Sequence, residues 1–457
     1  MCMTEFSTIG SAPCRVWLVV LVCLTALSSR CQNTASRQEL VQSQVAREYP
    51  GLFELYKHLH SHPELSFQEV QSAARVADEL RKAGCEVTPG VGKHRVVGVM
   101  RNGAGLTVLL RADMDALPVK EQTGLPYAST VTAKDTQGKE VPVMHACGHD
   151  IHMTWLVGTA RVLGQIKDHW SGTLIFIGQP AEEAVGGAQA MLDDGLFKRF
   201  LRPDFGFALH DDAELAAGTV GYTPGYSGAN VDSVDITVHG VGGHGAYPQK
   251  TKDPIVLAAQ IVLALQEIVS REVQTGEPVV VTVGSIHGGT RRNIIPDEVR
   301  LQLTVRSYKE EVRQQTLAAI ERIVRGQALA AGMPEDRLPE VKMTDEITAA
   351  LYNDPKLTER LVGVLQAWFG ENNLIRKPPS MGGEDFSAFG RTEPKVPICM
   401  MNIGGVSTEA LKESQRTGQP LPSLHSPLWA PVPEPTIKTG VTAMTAAVLE
   451  LLGKPTE

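Results

Sequence analysis

The chain has 457 residues, of which 42% are hydrophobic and 21% are charged. This balance is ordinary for a globular protein, and the length is too great for one small core, so we expect two domains. The formal net charge of −8 argues against nucleic acid or an anionic membrane surface as the main partner.

The N-terminus carries an export pattern. Arg15 precedes an apolar run over 16–27, and small residues follow that run. A charged flank, a short apolar run and small residues are typical of a secretory signal peptide, which we predict over 1–28. The run is too short for a comfortable membrane span, so we expect no stable span in the mature protein. The alternative is an amphipathic or buried start of the first domain.

The cysteines agree with export but not with a disulfide scaffold. The chain has seven, and they are scattered rather than densely paired. The signal peptide predicts a periplasmic or secreted protein, and Arg30 makes a poor context for lipid anchoring at Cys31. Cys147 lies alone within the histidine-rich stretch MHACGHDIHM (144–153), which suggests a thiol held by metal.

The first half of the chain alternates helices with apolar strands. A helical stretch from residue 38 is followed by a second helix that ends at Gly84, a residue typical of helix C-termini. A strand over 106–115 is predicted next, and a helix over 148–166 follows it, with Asp150 as its N-cap. Two more strands are predicted over 172–183 and 203–212. Short, continuously apolar strands separated by helices predict a mostly parallel α/β sheet.

The composition changes near residue 222. A Gly-rich stretch leads into the alternating strand VDITVHG, and an apolar helix over 253–272 follows it. Two more strands and a helix over 310–332 complete a βαββα order. This order predicts a compact, ferredoxin-like α+β domain.

Signals of the α/β type resume after about residue 350, with a helix and the strand VPICMMNIGG. We therefore predict a discontinuous α/β catalytic domain over 38–223 and 336–457. The α+β domain over 224–335 is predicted to be an insertion into it.

Acidic pairs and a histidine occur where three predicted strands end. These residues are Asp113 and Asp115, Glu182 and Glu183, and His210. Ligand sites of open α/β sheets form at the carboxyl ends of strands. We therefore expect these side chains to meet at one edge of the sheet, beside the loop that carries Cys147 and His149.

Cys147 and His149 offer a thiolate and a neutral imidazole, which are good ligands for zinc and similar ions. A zinc knuckle needs a second Cys/His pair at close spacing, and a redox motif needs C-x-x-C; the sequence has neither. The alternative is a buried free cysteine beside helix-capping groups, which an isolated C-x-H would favour.

Glu182 and Glu183 are adjacent, and neighbouring side chains on an extended segment point in different directions. One carboxylate can bind metal while the other accepts a proton from water, a division that a catalyst needs. The alternative is a solvated pair at the start of a helix. Asp113 and Asp115 fit carboxylates that orient ligating histidines, or turn residues that bond to their own backbone.

Seven motifs occur in an order and at a spacing known from one family. They are LRADMDALP (110–118), MHACGHD (144–150), QPAEE (179–183), GHGAYP (243–248), NIIPD (293–297), GGEDF (382–386) and LHSP (424–427). Together they resemble the M20 metallopeptidases, specifically the amidohydrolase branch of hippurate hydrolases, N-acyl amino acid deacylases and plant auxin-conjugate hydrolases. The resemblance covers roughly residues 40 to 455.

The resemblance implies a site for two divalent metal ions. It makes Cys147 the bridging ligand, Glu182 the general base and Asp115 a carboxylate behind a ligand. Asp113 stands where other branches have a metal-binding histidine, a role that His149 takes over here. The terminal ligands that it implies are His149, Glu183, His210 and His425. A mixed set of N, O and S ligands accepts zinc, manganese, cobalt or nickel.

Other residues near Cys147 receive supporting roles. His145 and His152 are predicted to be structural or to support the ligands from outside. Asp150 is predicted to cap its helix and to brace a ligand. His210 and His425, taken singly, are more typical of structural histidines and become ligand candidates only as members of the set.

The resemblance also implies that the inserted domain is a lid and a surface for a homodimer. It implies that His244 stabilises the developing oxyanion, and that Asn293 and Arg306 hold the carbonyl and the carboxylate of the substrate. The charged pairs at 291–292 and 211–212 depart from the family pattern and leave the particular substrate open.

The implied reaction is hydrolysis of the amide bond in N-acyl amino acids or related amino-acid conjugates. One rival is a non-catalytic protein that holds an acylated ligand, and the presence of Glu182 disfavours it. The other is a two-metal hydrolase of another ester class, such as a phosphoesterase. That class would need His/Asp ligands with Lys/Arg phosphate clamps, which the acidic chain and the thiolate disfavour.

Overall fold

The computed structural model describes residues 14–90 and 94–454, with side chains from residue 36 onward except those of 345 and 346. The first helix begins at Cys14 and continues through the predicted first helical stretch. Residues 1–13 of the signal peptide predicted over 1–28 lie outside the described residues, and the side chains of 14–28 and of Cys31 lie outside the described side chains, so export stays a prediction.

The strands of the described chain vary from two to twelve residues. They are β1 (Glu86–Pro89), β2 (Val96–Asn102), β3 (Thr107–Asp113), β4 (Thr132–Lys134), β5 (Glu140–Pro142), β6 (Gly172–Gln179), β7 (Phe205–Ala216), β8 (Val220–Tyr222), β9 (Gly225–Tyr226), β10 (Asn230–His239), β11 (Gly243–His244), β12 (Val279–Gly288), β13 (Ile294–Ile295), β14 (Glu298–Ser307), β15 (Glu340–Thr348), β16 (Tyr352–Asn353), β17 (Leu374–Arg376) and β18 (Ile398–Val406).

The helices follow the same chain order. They are α1 (Cys14–Ser61), α2 (Val70–Lys82), α3 (His149–Gln165), α4 (Gly187–Asp193), α5 (Leu196–Arg199), α6 (Pro254–Glu267), α7 (Glu310–Ala330), α8 (Pro355–Phe369), α9 (Ser387–Gly390), α10 (Thr408–Thr417) and α11 (Pro433–Leu452).

A central eight-stranded sheet has the order β1-β2-β6-β3-β7-β18-β8-β17. The pairs β3–β6, β3–β7, β7–β18 and β8–β17 are parallel, and the other neighbours are antiparallel. Every residue of β3 and β6 is buried, as their continuous apolar runs predict. The predicted α/β class with a mostly parallel sheet is confirmed.

Helices cover both faces of this sheet. On one face α1, α3 and α11 pack together, and their core includes Leu52, Trp155 and Val441. On the other face Met191 and Phe389, from α4 and α9, join alternate residues of the central strands. Because helices bury both faces of the sheet, the polar side chains of its strands cluster at the strand ends, where ligand sites of such sheets form.

The inserted domain is a four-stranded antiparallel sheet in the order β12-β14-β10-β15, covered on one face by α6 and α7. The predicted βαββα elements are present, but β15 adds a fourth strand beyond the predicted boundary at residue 335. The sheet of the inserted domain therefore extends past that boundary to Thr348, so the predicted end at residue 335 is too early. β15 reads EVKMTDEIT, and such a charged edge strand lacks the apolar run that identifies a core strand.

The start of α3 also differs from the sequence prediction. Its N-cap is Gly148, at φ 73°, and Asp150 is already inside the first turn. Asp150 uses one oxygen on the N–H of Ile151, 2.8 Å away, and the other on His60. A Cβ on Gly148 would lie 2.3 Å from Oδ2 of Asp211, so the backbone there requires glycine.

The prediction that His210 lies near the end of its strand is also inaccurate. β7 continues to Ala216 because β18 pairs with it in parallel on both sides of His210. The pairing of β7 with β3 does end earlier, at Ala208. His210 therefore lies just beyond the end of that ladder and faces the same edge as Asp113.

Within the described residues one helical segment, Pro254–Glu272, is long and apolar enough to cross a membrane by length and composition alone. One third of its apolar window is buried. Leu257, Ile261 and Leu265 pack it onto the sheet of the inserted domain, and helices of protein cores share such a composition.

Candidate metal centre

Five potential ligands from four separate parts of the chain meet at the edge of the central sheet. Cys147 and His149 stand at the start of α3, Glu183 follows β6, His210 lies in β7 and His425 lies in the loop before α11. The backbone N–H of His425 donates to the carbonyl of Ala146 at 2.7 Å, which ties these two loops together.

The thiol of Cys147 belongs to two groups of donor atoms. One contains Cys147, His149 and His210, and the other contains Cys147, Glu183 and His425; within each group all donor atoms lie within 4.8 Å of one another. Sγ of Cys147 lies 3.7 Å from Nε2 of His210, and Nε2 of His425 lies 3.3 Å from Oε1 of Glu183. A ligand shared by two groups has the arrangement of a bridge between two ions.

A cation fits this cluster. Both ring nitrogens of His149 and Oε1 of Glu183 are buried without a hydrogen bond of good geometry, although Nδ1 of His149 faces Asp115 and Oε1 of Glu183 faces His425. This state costs free energy unless something binds these atoms. Burial and Glu183 raise the pKa of the Cys147 thiol, but the charge of His210 and hydrogen bonds from both histidines outweigh them and lower it. Burial lowers the pKa of His210, yet Cys147 and Asp211 raise it well above its usual value. The cluster therefore attracts positive charge.

The two histidines at the sheet edge are held in the orientation of metal ligands. Nδ1 of His149 lies 3.2 Å from Oδ1 of Asp115, and Nδ1 of His210 lies 2.7 Å from the carbonyl oxygen of Asp211. With the proton on Nδ1, each ring presents the lone pair of Nε2 to the cluster.

Asp115 organises the backbone of the two glutamates as well. Its oxygens accept the N–H of Glu182 at 3.1 Å and the N–H of Glu183 at 3.0 Å. The hydroxyl of Ser66 donates to the same carboxylate at 2.6 Å. One aspartate thus orients a candidate ligand and the turn that carries the candidate base.

A second polar chain lies behind His210. Asp113 meets Nδ1 of His152 at 2.6 Å, and the N–H of Asp211 donates to Nε2 of that ring at 2.9 Å. Asp211 accepts the indole N–H of Trp429 at 2.8 Å. His152 is therefore a connecting residue, as its predicted supporting role requires, while His145 is buried with neither ring nitrogen bonded.

The carboxyl group of Glu182 lies in a crowded acidic environment. Burial raises its pKa well above the usual value, and the nearby charges of Glu384, Glu183 and Asp385 raise it further. A carboxyl group with a raised pKa is a stronger base than an ordinary carboxylate, so it is suited to accept a proton and to return it.

Arg111 forms ion pairs with three of the buried acids near Glu182, although the sequence analysis gave it no role. Its guanidinium donates to Asp113 at 2.5 Å, to Glu384 at 2.8 Å and to Asp385 at 3.2 Å, and all four side chains are buried. Arg111 and the two acids lie in motifs LRADMDALP and GGEDF, so they were visible in the sequence. Their mutual contact depends on a sequence separation of more than 270 residues, which no spacing rule identifies.

The sequence analysis also gave no role to two further buried carboxylates, those of Glu69 and Glu121. Glu69 accepts the N–H of Ala181 at 2.7 Å, directly before Glu182. His60 lies between Asp150 and Glu121, at 2.7 and 2.9 Å. Burial lowers the pKa of His60, but its two acidic partners raise it to about 10. This ion triad, rather than a helix cap, accounts for Asp150.

The three predicted lid residues lie apart from the cluster. His244 is exposed, and its Nδ1 accepts the N–H of Ala246 at 3.1 Å, which leaves Nε2 free to donate. Asn293 is next to it, because its carbonyl accepts the N–H of Gly245. Arg306 is half-buried beside Gly383, where an added Cβ would lie 3.6 Å from Nη1. Among the described residues no contact joins His244 or Asn293 to the five ligand candidates.

A sheet of this type, with an inserted antiparallel domain and a thiolate–imidazole–carboxylate cluster at its strand ends, defines a metallohydrolase. The chain belongs to peptidase family M20/M25/M40, whose model matches residues 109–416.

Relatives and solved structures agree with this membership. The hippurate hydrolase of Campylobacter jejuni is 39% identical over 343 residues, which are 74% of this chain and 85% of that protein. The N-acetyl-L-cysteine deacetylase of Bacillus subtilis is 36% identical over 343 residues, 74% and 77% of the two chains. The YXEP protein of Bacillus subtilis, a dinuclear metal binding peptidase from the M20 family, superposes with a TM-score of 0.71 at 28% identity, over 89% of this chain and 100% of that one. The protein is a metal-binding hydrolase of carbon–nitrogen amide bonds.

Proposed function

We propose that this protein cleaves the amide bond of N-acyl amino acids, or of related amino-acid conjugates, to a carboxylic acid and a free amino acid. The observation that carries the proposal is the thiol of Cys147, shared by two ligand groups, with Glu182 beside them. The names of the two curated relatives, a hippurate hydrolase and an N-acetyl-L-cysteine deacetylase, support this substrate class.

The proposed site holds two divalent ions through Cys147, His149, Glu183, His210 and His425. Zinc, manganese, cobalt and nickel all suit such a mixed set of ligands. Ions bound there would polarise the scissile carbonyl and lower the pKa of a water molecule. The unbonded Nε2 of His149 and Oε1 of Glu183 support this ligand set.

Glu182 has the role of the general base. It takes a proton from the attacking water and passes it to the nitrogen of the leaving amino acid. The acids around it favour its protonated form and so help it to hold that proton between the two steps. Arg111 neutralises part of the surrounding negative charge without contacting the substrate.

The lid supplies the remaining groups when it closes over the substrate. His244 donates from Nε2 to the oxyanion, an interaction worth about 3–4 kcal/mol for a well-placed donor. Arg306 binds the carboxylate of the substrate, and Asn293 holds the carbonyl of the substrate. The exposure of His244 in the present arrangement is consistent with a group that reaches the reaction only on closure.

The test is hydrolysis by metal-loaded wild type and Glu182→Gln of an N-acetyl amino acid and of a phosphate ester. We expect the wild type to release amino acid and the variant to bind metal but to turn over at least about 100-fold more slowly. Hydrolysis of the phosphate ester alone would favour the other ester class. Tight binding of the amide without turnover would favour a binding protein.

The proposal also includes a homodimer through the lid. Ile255, Val256 and Leu263 on α6 are 44%, 55% and 73% exposed, and β12 is an edge strand of the lid sheet. A second copy that pairs at this edge would cover both features. Light scattering on the wild type and on Leu263→Lys tests this, and a monomeric wild type would contradict it.

Export is the last part of the proposal. The charged flank and apolar run before residue 28 support a signal peptide, and the mature chain would then begin near that position. Cell fractionation and N-terminal sequencing of the exported protein test this. An intact N-terminus in the cytoplasm would contradict it.

A further inference from the structure

Glu69 is a buried carboxylate that no motif accounts for. Glu69 is the N-cap residue of α2, but its side chain is fully buried and makes no cap hydrogen bond to that helix. None of the ion pairs among the described side chains includes it, and Oε2 has no hydrogen-bond partner. Burying an unpaired carboxylate is costly, so such a group is retained where it has a task.

The bonds of Glu69 go to two strained positions of the backbone. Oε1 accepts the N–H of Ala181 at 2.7 Å and the N–H of Phe67 at 3.0 Å. Ala181 has φ 49° and Phe67 has φ 62°, and both lie in the left-handed region that residues other than glycine rarely adopt. Strained backbone of this kind persists only where the surroundings fix it, and it clusters at functional sites.

Ala181 is the first of three consecutive residues whose amides are all held by carboxylates. Glu69 accepts the N–H of Ala181, and Asp115 accepts those of Glu182 and Glu183. Ser66, in the same loop as Glu69, donates to Asp115. The loop before α2 therefore braces the turn after β6 from two directions.

We infer that Glu69 is a positioning residue for the proposed hydrolysis: it holds Ala181 in the left-handed conformation and thereby aims Glu182 at the water and Glu183 at the metal. This inference rests on the proposed function. Without the bond, Ala181 relaxes toward negative φ, and the two glutamates that follow it change direction. The step needs no contact between Glu69 and the substrate.

The test compares Glu69→Ala with a double variant that also carries Ala181→Gly. Glycine adopts positive φ without strain, so it should restore the turn without the carboxylate. We expect Glu69→Ala to lower kcat about 10–100-fold with little change in KM, as loss of an orienting partner does, and to weaken metal binding similarly. The double variant should recover part of the loss in both kcat and metal affinity, because its turn no longer depends on the carboxylate.

The matched control is Glu64→Gln. Glu64 lies in the same loop, and its carboxylate accepts the amides of Gln71 and Ser72 in α2 rather than that of Ala181. It should lower the melting temperature without a loss of kcat. A Glu69→Ala enzyme that loses only melting temperature, with wild-type kcat and metal affinity, would overturn the inference.

The double variant keeps the test decisive if Glu69→Ala does not fold. A folded double variant with kcat or metal affinity below about one hundredth of the wild-type value would overturn the inference. Metal affinity is measured by calorimetry with Zn²⁺ and needs no substrate. Failure of the wild type to hydrolyse amides would therefore count against the proposed function, while the metal affinities would still decide the role of Glu69.

Discussion

Nδ1 of His149 lies 3.2 Å from Oδ1 of Asp115, and the same carboxylate accepts the backbone N–H groups of Glu182 and Glu183. A ligand candidate on α3 and the acidic turn after β6 are thus fixed relative to each other by one side chain. The geometry of the cluster depends on this link between two elements that are distant in sequence.

Replacement of Asp115 should therefore weaken metal binding although Asp115 is outside the ligand set. We expect Asp115→Ala to raise the Kd for the first Zn²⁺ ion about 10–100-fold, because His149 loses its orienting partner. Calorimetric titration of the metal-free protein measures this. Asp135→Ala is the control, since Asp135 also accepts two backbone amides but in a surface turn. Equal Kd values for Asp115→Ala and the control would contradict the prediction.

The buried triad of His60, Asp150 and Glu121 should make stability depend on alkaline pH. The pKa of His60 is raised from 6.5 to about 10 in the folded protein, so protonated His60 stabilises the fold. Its contribution is complete below pH 6.5 and is lost as the pH rises through about 10. We expect His60→Gln to cost about 3–5 kcal/mol at pH 6, because two buried carboxylates lose their cation.

The measurement is urea unfolding of the metal-free wild type and His60→Gln at pH 6 and at pH 10. The difference in unfolding free energy between the two proteins should shrink at the higher pH. His62→Gln controls for removal of a nearby exposed imidazole that has no carboxylate partner. A difference that is the same at both pH values would show that His60 does not stabilise the fold through its charge.

Replacement of Gly148 by alanine should lower the free energy of unfolding more than the same replacement of Gly138, a glycine with a similar φ. Gly148 and Gly138 have φ of 73° and 78°, but only at Gly148 would a Cβ meet another atom, Oδ2 of Asp211. We expect Gly138→Ala to cost about 1–2 kcal/mol from the left-handed backbone alone. Gly148→Ala should cost about 1–3 kcal/mol more, from overpacking against Asp211. Equal losses in urea unfolding would mean that Asp211 moves aside freely.

Much of the fold was predictable because the patterns that identify its strands and helices lie within short stretches of the sequence. The runs that form β3 and β6 are mostly apolar, and acids stand at the end of the first and shortly after the second, so both the strands and the polar edge follow from the sequence. The strand β15 was missed because its apolar residues alternate with charged ones and because it pairs only with β10, at the edge of the inserted domain's sheet. Its pairing depends on the folded sheet rather than on its own composition.

The site divides in a similar way. The potential ligands stand in short motifs, and the structure brings Cys147, His149 and His210 together. The residues that support them were not predictable, because Arg111 and Glu69 act on partners that only the fold brings near. Asp150 was predicted to be the N-cap of α3 from its position in the sequence. In the structure Gly148 is the cap, because any side chain there would clash with Asp211, and Asp150 contacts His60 instead.

The most direct test of the two-ion site bridged by Cys147 is the amount of metal bound per chain. Zinc-loaded wild type and Cys147→Ser are dialysed against metal-free buffer, and bound zinc is measured by mass spectrometry with circular dichroism as a check on folding. We predict about two ions per chain for the wild type and fewer than about one for Cys147→Ser, because both ligand groups lose the shared thiolate. Two ions per chain in both proteins would contradict the bridging role of Cys147.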